Sequence, residues 1–398
     1  MTLATDLTAN GMRVVWANLI YNGITSAVST AAVLNANVQS GSYMIQASDV
    51  AGGGGLIVCT GSLQTITLPS VSGFQTYLPI TVVNSSSTRC QILSGFPSDV
   101  RTLLYPNQSV TVAVINGSWQ SLVKPGRWVV PSAPTLYVNS GSAVNGFGAG
   151  SDSNDGLDIG SPVQHIQTAI ARVQGDMDFG GGVLKIPTIQ LAYNTTGSPV
   201  TYSEGLTVFG PLVGGEDFTI IGNASSPDTC VLAAPANNYG LQTRDQGIVT
   251  LNGFKITTQT AGYYCLYSSQ WGTIDVHNID FAPVSTGGAM LVTDNGTLNV
   301  EDPITLSTSM AAAFGVTNSG SNLVLGANVS IPNAITISGN FISMSQASNM
   351  VINGGVSFSN PGNVTGTSYN VSYNSVLFRN SVSVPGSAGS TSNGGQVQ

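Results

Sequence analysis

Charge is what this chain has least of. Only 7% of its 398 residues are Asp, Glu, Lys or Arg, against roughly 25% in an ordinary soluble domain. The net charge is −8, and the ten Lys and Arg residues stand singly. Binding to nucleic acid needs clustered cations that displace counterions, so that partner is excluded, and adhesion to an anionic lipid surface is disfavoured on the same ground. No apolar run approaches the ~20 residues of a membrane-spanning helix, so no membrane insertion is expected. The opening Met1-Thr-Leu-Ala-Thr-Asp6 lacks the basic and apolar parts of a secretory signal. The expectation is synthesis in a cytoplasm, with exit by lysis or as part of a particle. Histidine is scarce too: His165 and His277 are far from each other and from any cysteine, which argues against zinc. The four cysteines, Cys59, Cys90, Cys230 and Cys265, form no Cys-x-x-Cys pair and read as small buried hydrophobes. Pairing of Cys59 with Cys90 stays open. Gly52–Gly55 is not followed by Gly-Lys-Ser/Thr, so it is no phosphate loop. No cofactor is expected.

What the chain does have is period. Hydrophobic residues make up 42% and recur regularly, which sets it apart from a disordered polar chain. From Val249 onward one phrase repeats: Val249-Thr-Leu-Asn-Gly-Phe-Lys-Ile256, Ile274-Asp-Val-His-Asn-Ile-Asp-Phe281, Leu298-Asn-Val-Glu-Asp-Pro-Ile-Thr-Leu306 and Leu323-Val-Leu-Gly-Ala-Asn-Val-Ser-Ile331. Weaker copies begin at Met350 and Val371. Leading residues step by 25 (249 to 274), 24 (274 to 298), 25 (298 to 323) and 27 (323 to 350). Short strands and a polar corner at that period are the signature of a solenoid.

The chain divides accordingly. Residues 1–40 carry a helix-compatible apolar stretch, Met12 to Ala32, read as an anchoring segment. Residues 41–124 hold seven strand candidates, Ser42–Ala47, Leu56–Thr60, Gln64–Leu68, Leu78–Asn84, Thr88–Leu93, Ser109–Ile115 and Ser118–Val123, with Asn116-Gly117 as a hairpin signal. That spacing suggests a small sandwich or jelly-roll domain. Residues 125–135 read as a linker. Residues 136–385 read as a parallel β-helix with an amphipathic capping helix at about 162–174, where Ser161 is the N-cap and Pro162 the first helical residue. Residues 386–398 read as a flexible tail. The predicted fold class is all-β.

The run Tyr137-Val138-Asn139, then Gly150-Ser-Asp-Ser-Asn-Asp-Gly-Leu157, then Ser161-Pro162 with Ile166, Gln167, Ala169 and Ile170, resembles the start of pectate-lyase-like right-handed parallel β-helices found in bacteriophage tailspikes and tail or head fibres. Residues 41–123 are similar to small β domains of phage fibre proteins in Ser48-Asp49, the Gly-rich turn, Ile66-Thr-Leu-Pro69 and Pro106-Asn-Gln-Ser109-Val ahead of Trp119. The resemblance implies a homotrimer, held in the virion by other virion proteins through residues 1–40, that recognises a host-surface polysaccharide during adsorption. Some relatives of this kind cleave that polysaccharide as glycoside hydrolases or lyases. This sequence departs from the large depolymerising spikes in its short helix and in lacking a recognisable trimerisation domain. A spacer or decoration without ligand is the third reading.

Stacking turns sequence offsets into neighbours. Aligned on Gly247, Gly272, Gly296 and Gly320, one column reads Asp245, Gln270, Asp294, Asn318, and the column beside it Gln246, Trp271, Asn295, Ser319. Asp245 and Asp294 fall two coils apart, near the roughly 6.5–9.5 Å that separates the carboxyls of an inverting glycosidase. Trp271 offers a stacking platform for a sugar, and Tyr263 and Tyr267 have the outward parity. The expected glycan-binding residues are therefore Asp245, Tyr263, Tyr267, Gln270, Trp271 and Asp294. A second column reads Asn252, His277, Glu301, Gly326, Asn353 and Asn374, an asparagine corner ladder in which His277 and Glu301 can act as acid and base. Asp245, Asp294, His277 and Glu301 are thus the candidate catalytic residues. Asp280 aligns over Lys255 as an exposed ion pair. Asp152, Asp155 and Asp158 are the only calcium candidates, in a loop without EF-hand spacing; otherwise no metal is expected.

Overall fold

The structure, a computed structural model, describes residues 6–8, 11–13, 36–50, 55–61, 64–72, 79–86, 89–93, 103–115, 117–123, 127–130, 132–180 and 185–398. They fall into two compact units, 1–128 and 129–398. Strand dominates both, and a single α-helix, Ile166–Asp176, occurs among the described residues. Beyond Arg13 the expected apolar helix of the first segment lies outside them.

In the first unit the chain alternates between two sheets. Ala36–Gln39, Gly55–Cys59, Ile80–Asn84, Ser109–Ile115 and Ser118–Val123 form one; Tyr43–Met44, Gln64–Thr67, Cys90–Leu93 and Leu103–Leu104 form the other. Ile57, Cys59, Ile80, Val82, Val110 and Val112 from the first join Ile66, Cys90, Ile92 and Leu104 from the second in one buried core. Two layers suit the expected sandwich, but the pairing differs. A jelly-roll is antiparallel, whereas Gly55–Cys59 pairs in parallel with both its neighbours, as does Gln64–Thr67 with Cys90–Leu93. From Ala36 to Leu93 the chain changes sheet at every strand, so each sheet receives those strands running the same way; Leu103–Leu104 and Ser109–Ile115 then pair antiparallel. Ser109–Ile115 and Ser118–Val123 pair antiparallel around Gly117 at φ 74°, as the hairpin signal predicts.

The second unit is built from three long parallel sheets of ten, six and eight strands. Each of the six circuits between Thr188 and Met344 gives one strand to each sheet. Ile248–Asn252, Lys255–Thr257 and Tyr264–Ser268 form one circuit, and Thr273–His277, Asp280–Ala282 and Gly288–Val292 form the next, directly paired on it. The leading residues of the repeated phrase are neighbours: Val249 pairs with Ile274, Ile274 with Leu298, Leu298 with Leu323, and Leu323 with Met350. Alternation explains why. Val249, Leu251, Ile274, Val276, Leu298, Val300, Leu323 and Leu325 are all buried, each stabilising the stack by about 1.5–3 kcal/mol, and a one-residue slip would turn every one of them outward. Phe314, Phe341 and Phe358 extend this interior as an edge-to-face row with centroids 5.6 Å apart. The arrangement is consistent with a parallel β-helix.

Two boundaries differ from expectation. The helix begins at Ile166, not Pro162, and His165, not Ser161, is the N-cap, without a side-chain cap of its own. Caps come from afar: the Glu204 carboxylate accepts from the Ile166 and Gln167 N–H groups at 2.8 and 3.0 Å, and Asp152 Oδ1 accepts from the Gln164 and His165 N–H groups at 3.1 Å each. Residues 386–398, expected as a flexible tail, continue the stack. Ser390 and Thr391 pair with Asn370 and Val371, and Gln396 and Val397 with Val376 and Leu377. Backbone pairing needs no apolar side chains, so composition concealed it.

Candidate functional site: a corner groove

Where the eight-stranded sheet turns into the ten-stranded one, successive coils carry a pair of residues with left-handed backbone: Asp245 and Gln246 (φ 52° and 67°), Gln270 and Trp271 (51° and 65°), Asp294 and Asn295 (51° and 63°). Two consecutive positive φ values make the tight corner that leads from one strand into the next, and glycine, Asn or Asp normally fill it because a side chain there costs about 1–2 kcal/mol. Gln246, Gln270 and, above all, the bulky Trp271 break that rule. Ladder hydrogen bonds continue through the corner, from Gln246 N–H to Gln270 O at 3.2 Å and from Gln270 N–H to Asp294 O at 2.9 Å. Buried Gly272 and Gly296 follow, with no room for a Cβ beside the preceding coil. That is why the glycines align.

The six corner residues line an open groove of about 520 Å³. Trp271 projects from it, 65% exposed. Asp245 is exposed, and its register places it two coils from Asp294, about 10 Å at the usual strand spacing. Asp294 is held from both sides: its Oδ1 accepts from Asn318 Nδ2 at 2.6 Å and its Oδ2 from Thr293 Oγ1 at 3.0 Å. Thr293 Oγ1 in turn lies 3.1 Å from the Tyr267 hydroxyl.

Tyr267 belongs to an aromatic cluster on the outer face of the eight-stranded sheet. Its ring stacks on Tyr239 at 4.4 Å, Tyr263 lies 5.1 Å from Tyr239, and the Arg244 guanidinium sits 5.9 Å from the Tyr267 centroid. Arg244 Nε and Gln242 Oε1 are shielded from solvent without a hydrogen-bond partner. Burial, then the neighbouring Tyr267 and Tyr263, push the Tyr239 hydroxyl pKa up. The structure thus brings Asp245, Gln270, Trp271 and Asp294 into one groove, with Tyr267 linked to it through Thr293 and Tyr263 one ring further. Tyr239 and Arg244 were missed. The signal for Tyr239 was its offset of 24 residues from Tyr263.

The second column is different in kind. His277 Nδ1 lies 2.9 Å from Asp302 Oδ2 and His277 Nε2 3.5 Å from Glu301 Oε2. Asn278 Nδ2 donates to Asn252 Oδ1 at 3.2 Å. Both ring nitrogens are therefore taken by carboxylates on the next coil, and Asp302, not foreseen, is the nearer. Asn374 does not belong to this ladder. With Tyr373 it forms a left-handed corner of the first kind, its N–H bonded to Asn393 O, and Asn380, whose Nδ2 donates to Ile352 O at 2.7 Å, serves the second corner instead. Slippage of the last weak repeat by one strand caused that error. The Lys255–Asp280 pair at 3.0 Å is not exposed: its side chains are 26% and 12% accessible, and Ser307 Oγ also donates to Asp280.

The acidic loop serves the helix. Asp152 Oδ2 meets His165 Nδ1 at 2.5 Å, while Asp155 and Asp158 each accept a backbone N–H two residues on. Arg172 pins the loop by donating to the Asn154 and Asp152 carbonyls. The three carboxylates thus point to three separate tasks, and no cluster of His, Cys, Asp or Glu suited to a metal occurs among the described residues. No family model, curated protein or solved structure matches the chain.

Proposed function

We propose that this chain is a virion-attached fibre or spike protein that recognises a host-surface polysaccharide, folded as a right-handed parallel β-helix whose helix Ile166–Asp176 caps the first coils. The observation that carries the reading is Trp271: a large ring, 65% exposed, at φ 65°, beside two carboxylates. Packing gives no reason to keep such a residue at a costly backbone angle, whereas presenting a flat apolar ring to a ligand does. Exposed amides and carboxylates on either side match sugar hydroxyls. Assembly is proposed as a homotrimer, made in the host cytoplasm and acting outside it, with attachment to other virion proteins through residues 1–40. The exposed Phe209 and Val213 are apolar surface that such an assembly can cover.

Recognition is favoured over cleavage by Asp294, whose two oxygens already accept hydrogen bonds from Asn318 and Thr293. The depolymerase alternative rests on the Asp245–Asp294 spacing, and the spacer alternative assigns the groove no ligand. Incubation with purified capsular polysaccharide and lipopolysaccharide separates the three. The proposal expects retention of the glycan, at least tenfold (about 1.4 kcal/mol) weaker in Trp271→Ala, with no new reducing ends or unsaturated uronates. Cleavage lost in Asp245→Asn would establish the enzyme instead, and no retention of any surface glycan would leave the spacer.

A further inference from the structure

The ten-stranded sheet carries a second concavity at its opposite edge, on the first coils, away from the corner groove. Val144 and Phe147 pair across a tight turn with Asn145 and Gly146 at φ 46° and 84°. This turn folds over the outer face of the first strand and sets Phe147 edge-on to Tyr137, with centroids 5.9 Å apart and planes at 72°. It is tied down by Asn145 Nδ2, which donates to Tyr193 O at 2.7 Å. On the next coil Gln190 pairs with Tyr137, and its Nε2 donates to the Leu191 and Ile221 carbonyls at 3.3 and 3.2 Å. The turn 222–225 closes the far side. Together they line an open concavity of about 560 Å³.

We propose that this cavity is a second ligand site and that it takes a neutral pyranose. The rings of Tyr137 and Tyr193, backed by the buried Phe147, and the half-exposed Ile159 supply the flat apolar surface on which the C–H face of a sugar packs. No Asp, Glu, Lys, Arg or His lines it, so an acidic or cationic sugar would lose hydration with no countercharge in return. The hydroxyls of Tyr137 and Tyr193 and the Gln190 Oε1 have no partner among the described residues, which leaves donors and an acceptor for sugar hydroxyls. Asn145, Gln190 and Asn223 are already fixed by hydrogen bonds to the fold, so the walls are built before a ligand arrives. The inference rests on the reading of the protein as a glycan binder, and it adds a neutral site to the acidic corner groove.

Saturation-transfer NMR on the full chain tests it, with the methyl pyranosides of glucose, galactose, mannose and rhamnose, and with glucuronate and N-acetylneuraminate as the acidic arm. The expected result is transfer to at least one neutral sugar, lost or weakened at least tenfold in Tyr193→Ala. Tyr137→Phe, which removes only a hydroxyl, should weaken binding with an unaltered melting curve. Transfer to no neutral sugar, preference for the acidic arm, or equal transfer with Tyr193→Ala and Tyr137→Phe would overturn the proposal. Loss of surface polysaccharide in Trp271→Ala alongside a silent cavity would remove this site and leave the corner groove standing.

Discussion

At single positions the fold is decided by space as much as by affinity. Gly253 closes the corner after Asn252 at φ 76°, and a Cβ there would lie 2.3 Å from the Ala224 backbone nitrogen. Gly253→Ala should therefore cost about 3 kcal/mol, while Gly262→Ala, at φ 79° with open space around it, should cost only about 1 kcal/mol; urea denaturation of the two variants checks the difference. In the first unit the Cys59 and Cys90 sulfurs, both buried, lie 3.1 Å apart across the two sheets. Glutathione disulfide is expected to exchange with one thiol and be displaced by the other, closing a loop with ends 31 residues apart and adding about 3–4 kcal/mol to that unit. Two thiols still titrating in denaturant after prolonged exposure would refute it. The corner residues were legible because Gly247, Gly272 and Gly296 mark one position on three successive coils; on the next coil Ser321, not Gly320, takes that position, so the expected Asn318 and Ser319 columns are one residue out of register. Tyr239 and Asp302 were not, since neither sits at an aligned glycine and contact across coils depends on side-chain direction.

At the scale of elements, the repeated phrase revealed its strands because buried and exposed positions alternate within each copy. The start of the helix stayed hidden because its cap is supplied by Glu204, 38 residues from Ile166. The parallel pairing of the first unit stayed hidden because strand spacing is the same whichever way neighbours run. The helix terminus carries a pH dependence. Its hydrogen bond to Asp152 holds the His165 pKa above the ordinary imidazole value. Burial alone would push Asp152 up, but the hydrogen bonds from His165 and Gln164 keep its pKa below the usual value. The histidine contribution is therefore complete below about pH 6.5 and is lost as pH rises through its folded value; that of Asp152 is present above about pH 3.9 and is lost as pH falls through its own. The melting difference between wild type and His165→Ala should be present at about pH 5.5 and shrink towards about pH 9. A difference independent of pH would contradict the pair. Burial also pushes the Glu204 pKa up in spite of its two backbone hydrogen bonds, and Glu204→Ala should cost about 1–2 kcal/mol by uncapping the helix.

Along the second unit, the steps of 24 to 27 residues in the sequence become direct strand neighbours from Ile248 to Phe378, and a shorter step of 20 adds Gln396 and Val397. A side chain at one corner is thereby fixed against its equivalent on the next coil, and a line of recognition can run along the stack without a loop to support it. Low charge and abundant Ser, Thr and Asn on such faces were legible from composition; which faces carry concavities was not, because that depends on where the Val144–Phe147 turn and the left-handed corners fold. The central claim is that glycan meets the corner at Trp271. The direct measurement is the side-chain indole N–H spectrum of the ¹⁵N-labelled protein, titrated with surface polysaccharide and with Trp271→Phe to assign the signal. The account predicts that the Trp271 resonance shifts saturably while those of Trp119 and Trp128 stay in place; binding that leaves the Trp271 resonance unmoved would contradict it.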